Sequence, residues 1–438
     1  MDILRDRIGP MYYKYLLAAS GSALVASVFG LVDAMMVGQY HGPAGNAALA
    51  VFNPLWSIIF SLGLLAGIGG SVLFAHSRGS GDEENAQQYF TLSIICGIIL
   101  SALAMLFIGL YKEPLFRLFG ADDELLALAE LYLKPIFFAI PCCVFSNILA
   151  ASLRNDSNPA LATKAVIIGG IFNAFGDYFC VFVLDMGIFG AGLATAIGQY
   201  IAMFVMLLHF AGRKNSLHLV RPRHVLRKLG RIGITGFSTA INDLAMGIIS
   251  ILFNRQIMAY FNSDALAVYG IITQVTAFAQ CLAYGTGEAA QPIISQNFGA
   301  GQHGRIRECL GYALNSCAVM GALWAGAMLL FPNVLVNMFM EPTVSVAAMA
   351  PGILRAYGCS YFILPFNIFA IYYFQSVMRQ NTAMIASLAR GVVVCGGAII
   401  LMPLVFGPGS LWYSMLVTEI IVMAYSIYHM QKSAKSLT

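Results

Sequence analysis

The chain has 438 residues, of which 59% are hydrophobic and only 10% are charged, and its mean hydropathy is +0.78. Soluble domains carry about 25% charged residues, so this composition excludes a soluble globular domain and indicates an integral membrane protein. The formal net charge of +4 gives no indication of nucleic-acid binding, and no nucleic-acid partner is expected. The nine cysteines show no CxxC or Cys/His spacing, which predicts neither a disulfide framework nor a zinc site.

The length accommodates about twelve apolar segments of ~20 residues joined by short loops. The first of these segments lacks the pattern of a cleaved signal peptide and is expected to remain as a spanning helix. Continuous apolar runs of this length predict helices, because the strands of a membrane barrel alternate over ~10 residues. The first six helices are predicted near 14–37, 48–75, 88–111, 131–153, 160–184 and 188–210. The second six are predicted near 232–260, 266–295, 308–331, 345–377, 382–405 and 411–430.

The distribution of Lys and Arg predicts the orientation in the membrane. If both termini are inside, nineteen of these residues lie in inner segments and four in outer segments. The positive-inside rule therefore predicts cytoplasmic termini in a multi-pass protein of the cell membrane. The connector 211–231 is predicted to be a solvated cytoplasmic linker, and it holds seven of the basic residues: Arg213, Lys214, Arg221, Arg223, Arg227, Lys228 and Arg231.

The two halves of the chain resemble each other. Ala48-Leu49-Ala50-Val51 recurs as Ala265-Leu266-Ala267-Val268, and Gly79-Ser80-Gly81 corresponds to Gly299-Ala300-Gly301. Six helices is an even number, so both halves enter the membrane from the same side. We expect an all-α protein of two parallel six-helix bundles, related by a pseudo-twofold axis along the membrane normal. The predicted lobes are residues 1–210 and 232–438, with a cavity between them, which is the architecture of a secondary transporter.

Four polar side chains in the apolar segments of the first half carry the functional prediction. Asn173 and Asp177 are four residues apart, so they share one face of a helix. Asp33 and Thr195 lie in two further spans, and the predicted topology places all four in the outer half of the membrane. Carboxylates inside a membrane usually mark an ion pathway, and oxygen donors suit Na⁺. The alternatives are a structural pair of acids, an amide that joins helices, and a hydroxyl bonded to its own helix.

The second half has its own polar groups within predicted spans. Glu288 is either a ligand-binding residue or the partner that neutralises Arg255, and Gln291 follows it by three positions. These three residues form a candidate substrate or polar site of the second lobe. Arg390 and Glu419 lie on the last two helices and are predicted to be structural partners.

Six segments along the chain carry recognisable motifs: 33–38, 154–159, 173–177, 190–195, 291–300 and 409–419. Together they resemble the multidrug and toxic compound extrusion (MATE) family of transporters, most closely its branch of MepA- and DinF-like bacterial members. The resemblance covers the whole chain. One feature departs from some relatives, because no proline lies between Pro10 and Pro43 to bend the first helix.

This resemblance implies export of organic, often cationic, compounds by alternating access, driven by inward flow of Na⁺ or H⁺. It implies no cofactor beyond the coupling ion, and partners limited to small amphipathic cations and the lipid bilayer, with the chain acting as a monomer. In the family, the cation site falls on the positions that are here Asp33, Asn173, Asp177 and Thr195.

Two other functions are alternatives to an antiporter. A lipid-linked precursor flippase of the same superfamily would have a basic central cavity and usually additional helices, whereas only Arg255 lies deep in a predicted span. An intramembrane enzyme would need a convergent catalytic set, but all seven histidines fall in loops or at helix ends. The protein is therefore expected not to be an enzyme.

Overall fold

A computed structural model describes residues 2–212, 215–339 and 342–436, and for residues 43 and 433–436 it describes the backbone alone. Arg213 and Lys214 of the predicted connector, and the side chain of Lys435, lie outside the described residues. The described part of the chain is 90% helical and contains no strand. The all-α prediction is confirmed.

Twelve helices in the described residues are long and apolar enough to cross a membrane, and they follow the predicted spans in order. In the first half they are α1 Ile8–Gly42, α2 Ala44–Gly79, α3 Glu83–Leu118, α4 Asp123–Asn155, α5 Pro159–Val183 and α6 Gly187–Ala211. In the second half they are α7 Val225–Tyr260, α8 Ser263–Gly299, α9 His303–Leu330, α10 Val344–Ser376, α11 Gln380–Phe406 and α12 Pro408–Lys432. A short additional helix, Pro332–Phe339, lies between α9 and α10.

Polar side chains cap the starts of several helices. The carboxylates of Asp82 and Asp122 accept hydrogen bonds from the backbone amides three residues later, at 3.1 and 2.9 Å. In the second half, Asn262 and Thr343 cap α8 and α10 in the same way, at 3.0 and 3.2 Å. Such caps satisfy amides that have no partner within the helix. They allow α3 and α4 to begin at Glu83 and Asp123, several residues before the predicted apolar spans near 88 and 131.

The chain divides into two compact units. Unit 1 comprises Met1–Asp6 and Leu17–Ala240, and unit 2 comprises Arg7–Leu16 and Ile241–Thr438. The boundary after Ala240 lies inside α7, beyond the connector 211–231 that the sequence suggested, and the first turns of α1 group with unit 2.

In unit 1, α1 continues without a proline bend as far as Gly42, whose φ of 63° and ψ of −148° separate it from α2. The loop from α5 to α6 is attached to the last turn of α1. The Tyr40 hydroxyl donates to the Asp185 carboxylate at 2.5 Å, and the Ile188 amide donates to the His41 ring at 3.0 Å. These bonds hold the ends of α1, α5 and α6 together.

In unit 2, a buried ion pair joins four helices. Arg390 Nε of α11 donates to Glu419 Oε1 of α12 at 2.9 Å, and both side chains are almost fully buried. Arg390 Nη1 also donates to Asn242 of α7 at 2.7 Å, and Asn367 of α10 donates to Glu419 Oε2 at 2.6 Å. The predicted partnership of Arg390 and Glu419 is confirmed. Arg390 is one of the nineteen Lys and Arg residues that the predicted topology places in inner segments, whereas it is 1% exposed and lies inside α11.

Candidate cation site

Helix α5 places two of the predicted site residues on one buried face. Asp177 is fully buried and Asn173 is 9% exposed. The Asn173 amide donates to Asp177 Oδ1 at 3.3 Å and to Thr195 Oγ1 of α6 at 3.2 Å. Three of the four residues that the sequence analysis selected therefore share one hydrogen-bonded cluster.

Asp33 of α1, the fourth predicted residue, is also buried. Its Oδ2 accepts a 2.8 Å hydrogen bond from the hydroxyl of Tyr132 in α4. Tyr132 interacts with Thr195 and Asp177 as well, so it links Asp33 to the cluster on α5 and α6. The sequence analysis missed Tyr132. The available signal was a phenolic hydroxyl at the predicted outer end of an apolar span, the same kind of signal that selected Thr195.

Each carboxylate keeps one oxygen without a hydrogen-bond partner. Asp33 Oδ1 and Asp177 Oδ2 are buried and accept no hydrogen bond from the described residues. A buried ionised carboxylate is costly unless a proton or a cation neutralises it. Two such acids on neighbouring helices can hold H⁺, or a small cation that favours oxygen ligands.

The orientation of Asn173 bears on how such an ion would be held. Its amide nitrogen, and not its oxygen, faces Asp177 and Thr195. In this orientation Asn173 is a hydrogen-bond donor to the carboxylate, and reversal of the same amide presents its oxygen instead. The ligand set of Asp33, Asn173, Asp177 and Thr195 stays a prediction, and the Tyr132 hydroxyl lies beside Asp33 as a further oxygen. Within the described residues, no group of three or more His, Cys, Asp or Glu side chains could hold a metal ion.

The helix geometry changes directly after Asp177. Residues Phe179–Val183 form one π-helical turn at the end of α5, before the loop to α6. Such turns insert an extra residue into the helix and occur frequently at functional sites. The turn redirects the chain beside the buried acid.

Close packing of α6 against α4 and α5 brings the polar groups together. A Cβ atom on Gly192 would overlap the Tyr132 carbonyl oxygen, three residues before Thr195. A Cβ on Gly198 would lie 2.8 Å from the Gly169 carbonyl oxygen, three residues after Thr195. Absence of a side chain on both sides of Thr195 lets α6 approach its neighbours, as small residues do in membrane helix interfaces.

This packing makes a testable prediction for Gly192. The change Gly192→Ala is expected to destabilise the protein by about 1–3 kcal/mol, because the backbone of Tyr132 must move to admit the methyl group. The matched control is Gly30→Ala in α1, where nothing lies within 4 Å of the added Cβ. That change removes a flexible residue from a helix and should leave the melting temperature in detergent equal or higher. Equal melting temperatures for both variants would contradict the packing described for α6.

The three polar residues predicted to form a site in the second half have different environments. Arg255 is exposed near the end of α7, Glu288 is half-buried in α8, and Gln291 is fully buried one turn further on. Their assignment to a substrate or polar site stays a prediction.

The fold and the buried acids define a class: an all-helical, multi-pass membrane protein with ionisable groups inside its spans. The chain belongs to the MatE family, which it matches over residues 18–179 and 238–398, one stretch in each half. The resemblance to MATE transporters is thereby confirmed.

Among individual relatives, the chain is similar to the "Multidrug export protein MepA" of Staphylococcus saprophyticus. The two are 24% identical over 404 residues, which cover 91% of this chain and 88% of the relative. The MepA protein of Staphylococcus aureus is also 24% identical, over 90% of this chain and 87% of the relative.

Solved structures share the fold. The structure described as the outward-facing conformation of a multidrug resistance MATE family transporter gives a TM-score of 0.91 at 20% identity, covering 99% of this chain and 98% of that one. A transporter of the MOP superfamily from Pyrococcus furiosus gives a TM-score of 0.91 at 19% identity with the same coverage. The transmembrane architecture predicted from the sequence is that of MATE transporters.

Proposed function

We propose that this protein is a secondary active antiporter that exports small organic, predominantly cationic, compounds in exchange for Na⁺ or H⁺. The observation that carries the proposal is the pair of buried acids, Asp33 and Asp177, each with one oxygen lacking a hydrogen-bond partner. The names of the relatives, which are multidrug export proteins, support the substrate class.

The chemistry of exchange follows from the charge of this site. An ion or proton that binds at Asp33 and Asp177 cancels the negative charge that attracts a cationic substrate. Because two cations draw on the same carboxylate charge, binding of one lowers the affinity for the other, and this effect is reciprocal. Net transport requires the competition to differ between the outward-open and inward-open states.

The other side chains of the site hold the acids in place for this exchange. Tyr132 donates to Asp33 and fixes one of its oxygens, which leaves the second oxygen for the ion. Asn173 donates to Oδ1 of Asp177, which leaves Oδ2 for the ion, and it also donates to Thr195. The proposal includes the predicted orientation, with both termini in the cytoplasm of a cell and the site in the outer half of the plasma membrane, and a monomeric chain.

Export from proteoliposomes tests the proposal. Purified protein would be reconstituted with ethidium as the fluorescent cation, and Na⁺ and H⁺ gradients would be imposed one at a time. One gradient is expected to drive ethidium against its concentration gradient, and an ionophore that dissipates that gradient should stop the transport. Protein-free liposomes control for leakage. Absence of transport under either gradient would contradict antiport and favour the flippase.

A further inference from the structure

The segment that follows the first half of the chain is in contact with unit 1 along its length. Three of its backbone amides donate to side chains of α3: His218 to Gln87 Oε1 at 2.8 Å, Val220 to Thr91 Oγ1 at 3.0 Å, and Arg223 to Gln88 Oε1 at 3.0 Å.

All three acceptor side chains on α3 are at least nine-tenths buried. Residues 87, 88 and 91 lie on neighbouring positions of one helix face, so they present a row of acceptors to an extended chain. The Gln87 amide completes the row by donating to the Ser216 carbonyl at 2.7 Å.

Asp156, in the short loop between α4 and α5, binds the start of the same segment. Its Oδ2 accepts from the Ser216 amide at 2.9 Å and lies 2.6 Å from His209 Nε2 at the end of α6. Its Oδ1 accepts from the Ser216 hydroxyl and from Arg78 Nη1 at 3.3 Å. One carboxylate therefore joins the ends of α2, α4 and α6 to residue 216.

The protonation of Asp156 suits this role. Burial alone would raise the pKa of this carboxyl, but the hydrogen bonds from Ser216 and His209 and the charge of Arg78 hold the pKa below its ordinary value. Asp156 is therefore ionised at neutral pH and acts only as an acceptor.

The second half of the chain lacks this anchor. Ser157 and Met378 have the same positive φ of 59°, and each lies two residues after a helix end, Asn155 and Ser376 respectively. Ser157 and Met378 therefore occupy corresponding positions in the two halves. The residue before each is Asp156 in the first half and Val377, which is buried and apolar, in the second. The carboxylate occurs only in the half of the chain from which the connector leaves.

We propose that residues 215–224 form a strap, a fixed part of unit 1 anchored by Asp156 and by the polar row on α3. The strap does not act as the free linker that its basic composition suggested. It holds the ends of α2, α3, α4 and α6 together. Asp156 precedes α5 and Asp177 lies near the end of α5, so the strap and the cation site lie at opposite ends of that helix. If the two units move during transport, the residues that change conformation must lie outside 215–224.

Hydrogen exchange of the full-length protein in detergent tests the strap. Peptides within 215–224 are expected to exchange about tenfold or more slowly than the same peptides in denaturant, because their amides are hydrogen-bonded. The change Thr91→Val keeps the shape of the side chain and removes the acceptor of the Val220 amide, together with the hydroxyl's own bond to the Gln87 carbonyl within α3. It should raise exchange in peptides that contain Val220. The exposed Arg221→Ala is the matched control and should change nothing.

A second variant tests the anchor. Asp156→Ala removes the acceptor shared by Ser216, His209 and Arg78, and it is expected to accelerate exchange throughout 215–224. If Asp156→Ala does not fold, Thr91→Val still decides. Fast exchange of this segment in the wild type, or no response to Thr91→Val, would overturn the proposal. Hydrogen exchange requires no transport, so the strap and the proposed antiport can fail independently of each other.

Discussion

Replacement of Asp177 by asparagine is expected to reduce ion-driven export on the order of 100-fold, the upper part of the range of coupling energies between linked sites. The amide has nearly the shape of the carboxylate but can neither bind a proton at neutral pH nor carry the charge that a cation neutralises. Asp177 is fully buried, and its Oδ2 has no hydrogen-bond partner. The asparagine oxygen can still accept the bond from Asn173, so the substitution removes ion binding and keeps that structural bond. Initial rates of ethidium export from proteoliposomes measure the effect.

The matched control is Asp185→Asn, which makes the same chemical change eight residues later. Asp185 is exposed in the loop between α5 and α6, and it accepts a hydrogen bond from Tyr40 of α1. Export by this variant should stay near the wild-type rate. The melting temperature of each variant separates loss of function from loss of fold. Wild-type export by Asp177→Asn would show that Asp177 is structural, and the assignment of the cation site would be wrong.

The second large effect is expected on stability, at the buried ion pair of unit 2. Replacing Arg390 by methionine removes one partner and leaves Glu419 as a buried, uncompensated charge. Such changes destabilise proteins by about 3–5 kcal/mol. Asn242 also loses the donor that binds its oxygen at 2.7 Å. A large decrease in the melting temperature in detergent is the expected result.

A double-mutant cycle separates the pair from its surroundings. When Glu419→Met is combined with Arg390→Met, the unpaired charge disappears and much of the lost stability should return, since apolar replacements of buried pairs are often tolerated. The double variant is expected to be more stable than either single variant, so its loss of stability is smaller than the sum of the two single losses. Additive losses would contradict a direct Arg390–Glu419 interaction.

The twelve helices and the four polar residues of the candidate cation site were accessible from the sequence because they depend on local pattern. Asp33 and Thr195 were selected as polar groups inside apolar spans. Apolar runs of sufficient length can only be helices in a bilayer, and a four-residue spacing places Asn173 and Asp177 on one face. Tyr132 was not accessible in this way. Its bond to Asp33 joins residues 99 positions apart, and no periodicity encodes such a distance.

Charged residues were the least predictable part of the chain. The pairing of Arg390 with Glu419 was predicted from the sequence, because unpaired cations are costly inside a membrane. The depth of Arg390 was not, since the predicted topology counts it among the inner charges, whereas its side chain is almost fully buried within α11. The connector looked solvated because it is basic. What fixes it is its backbone, whose amides bind Gln87, Gln88 and Thr91, and backbone bonding is independent of side-chain charge.

The most direct test of the central claim is the reverse of export. Proteoliposomes with no ion gradient would receive an ethidium gradient alone, and dyes sensitive to pH and to Na⁺ would record the response. Antiport at Asp33 and Asp177 predicts that ethidium moving down its gradient drives H⁺ or Na⁺ in the opposite direction, and that Asp177→Asn abolishes this ion movement. Protein-dependent ethidium movement with no opposing flow of either ion would contradict the account.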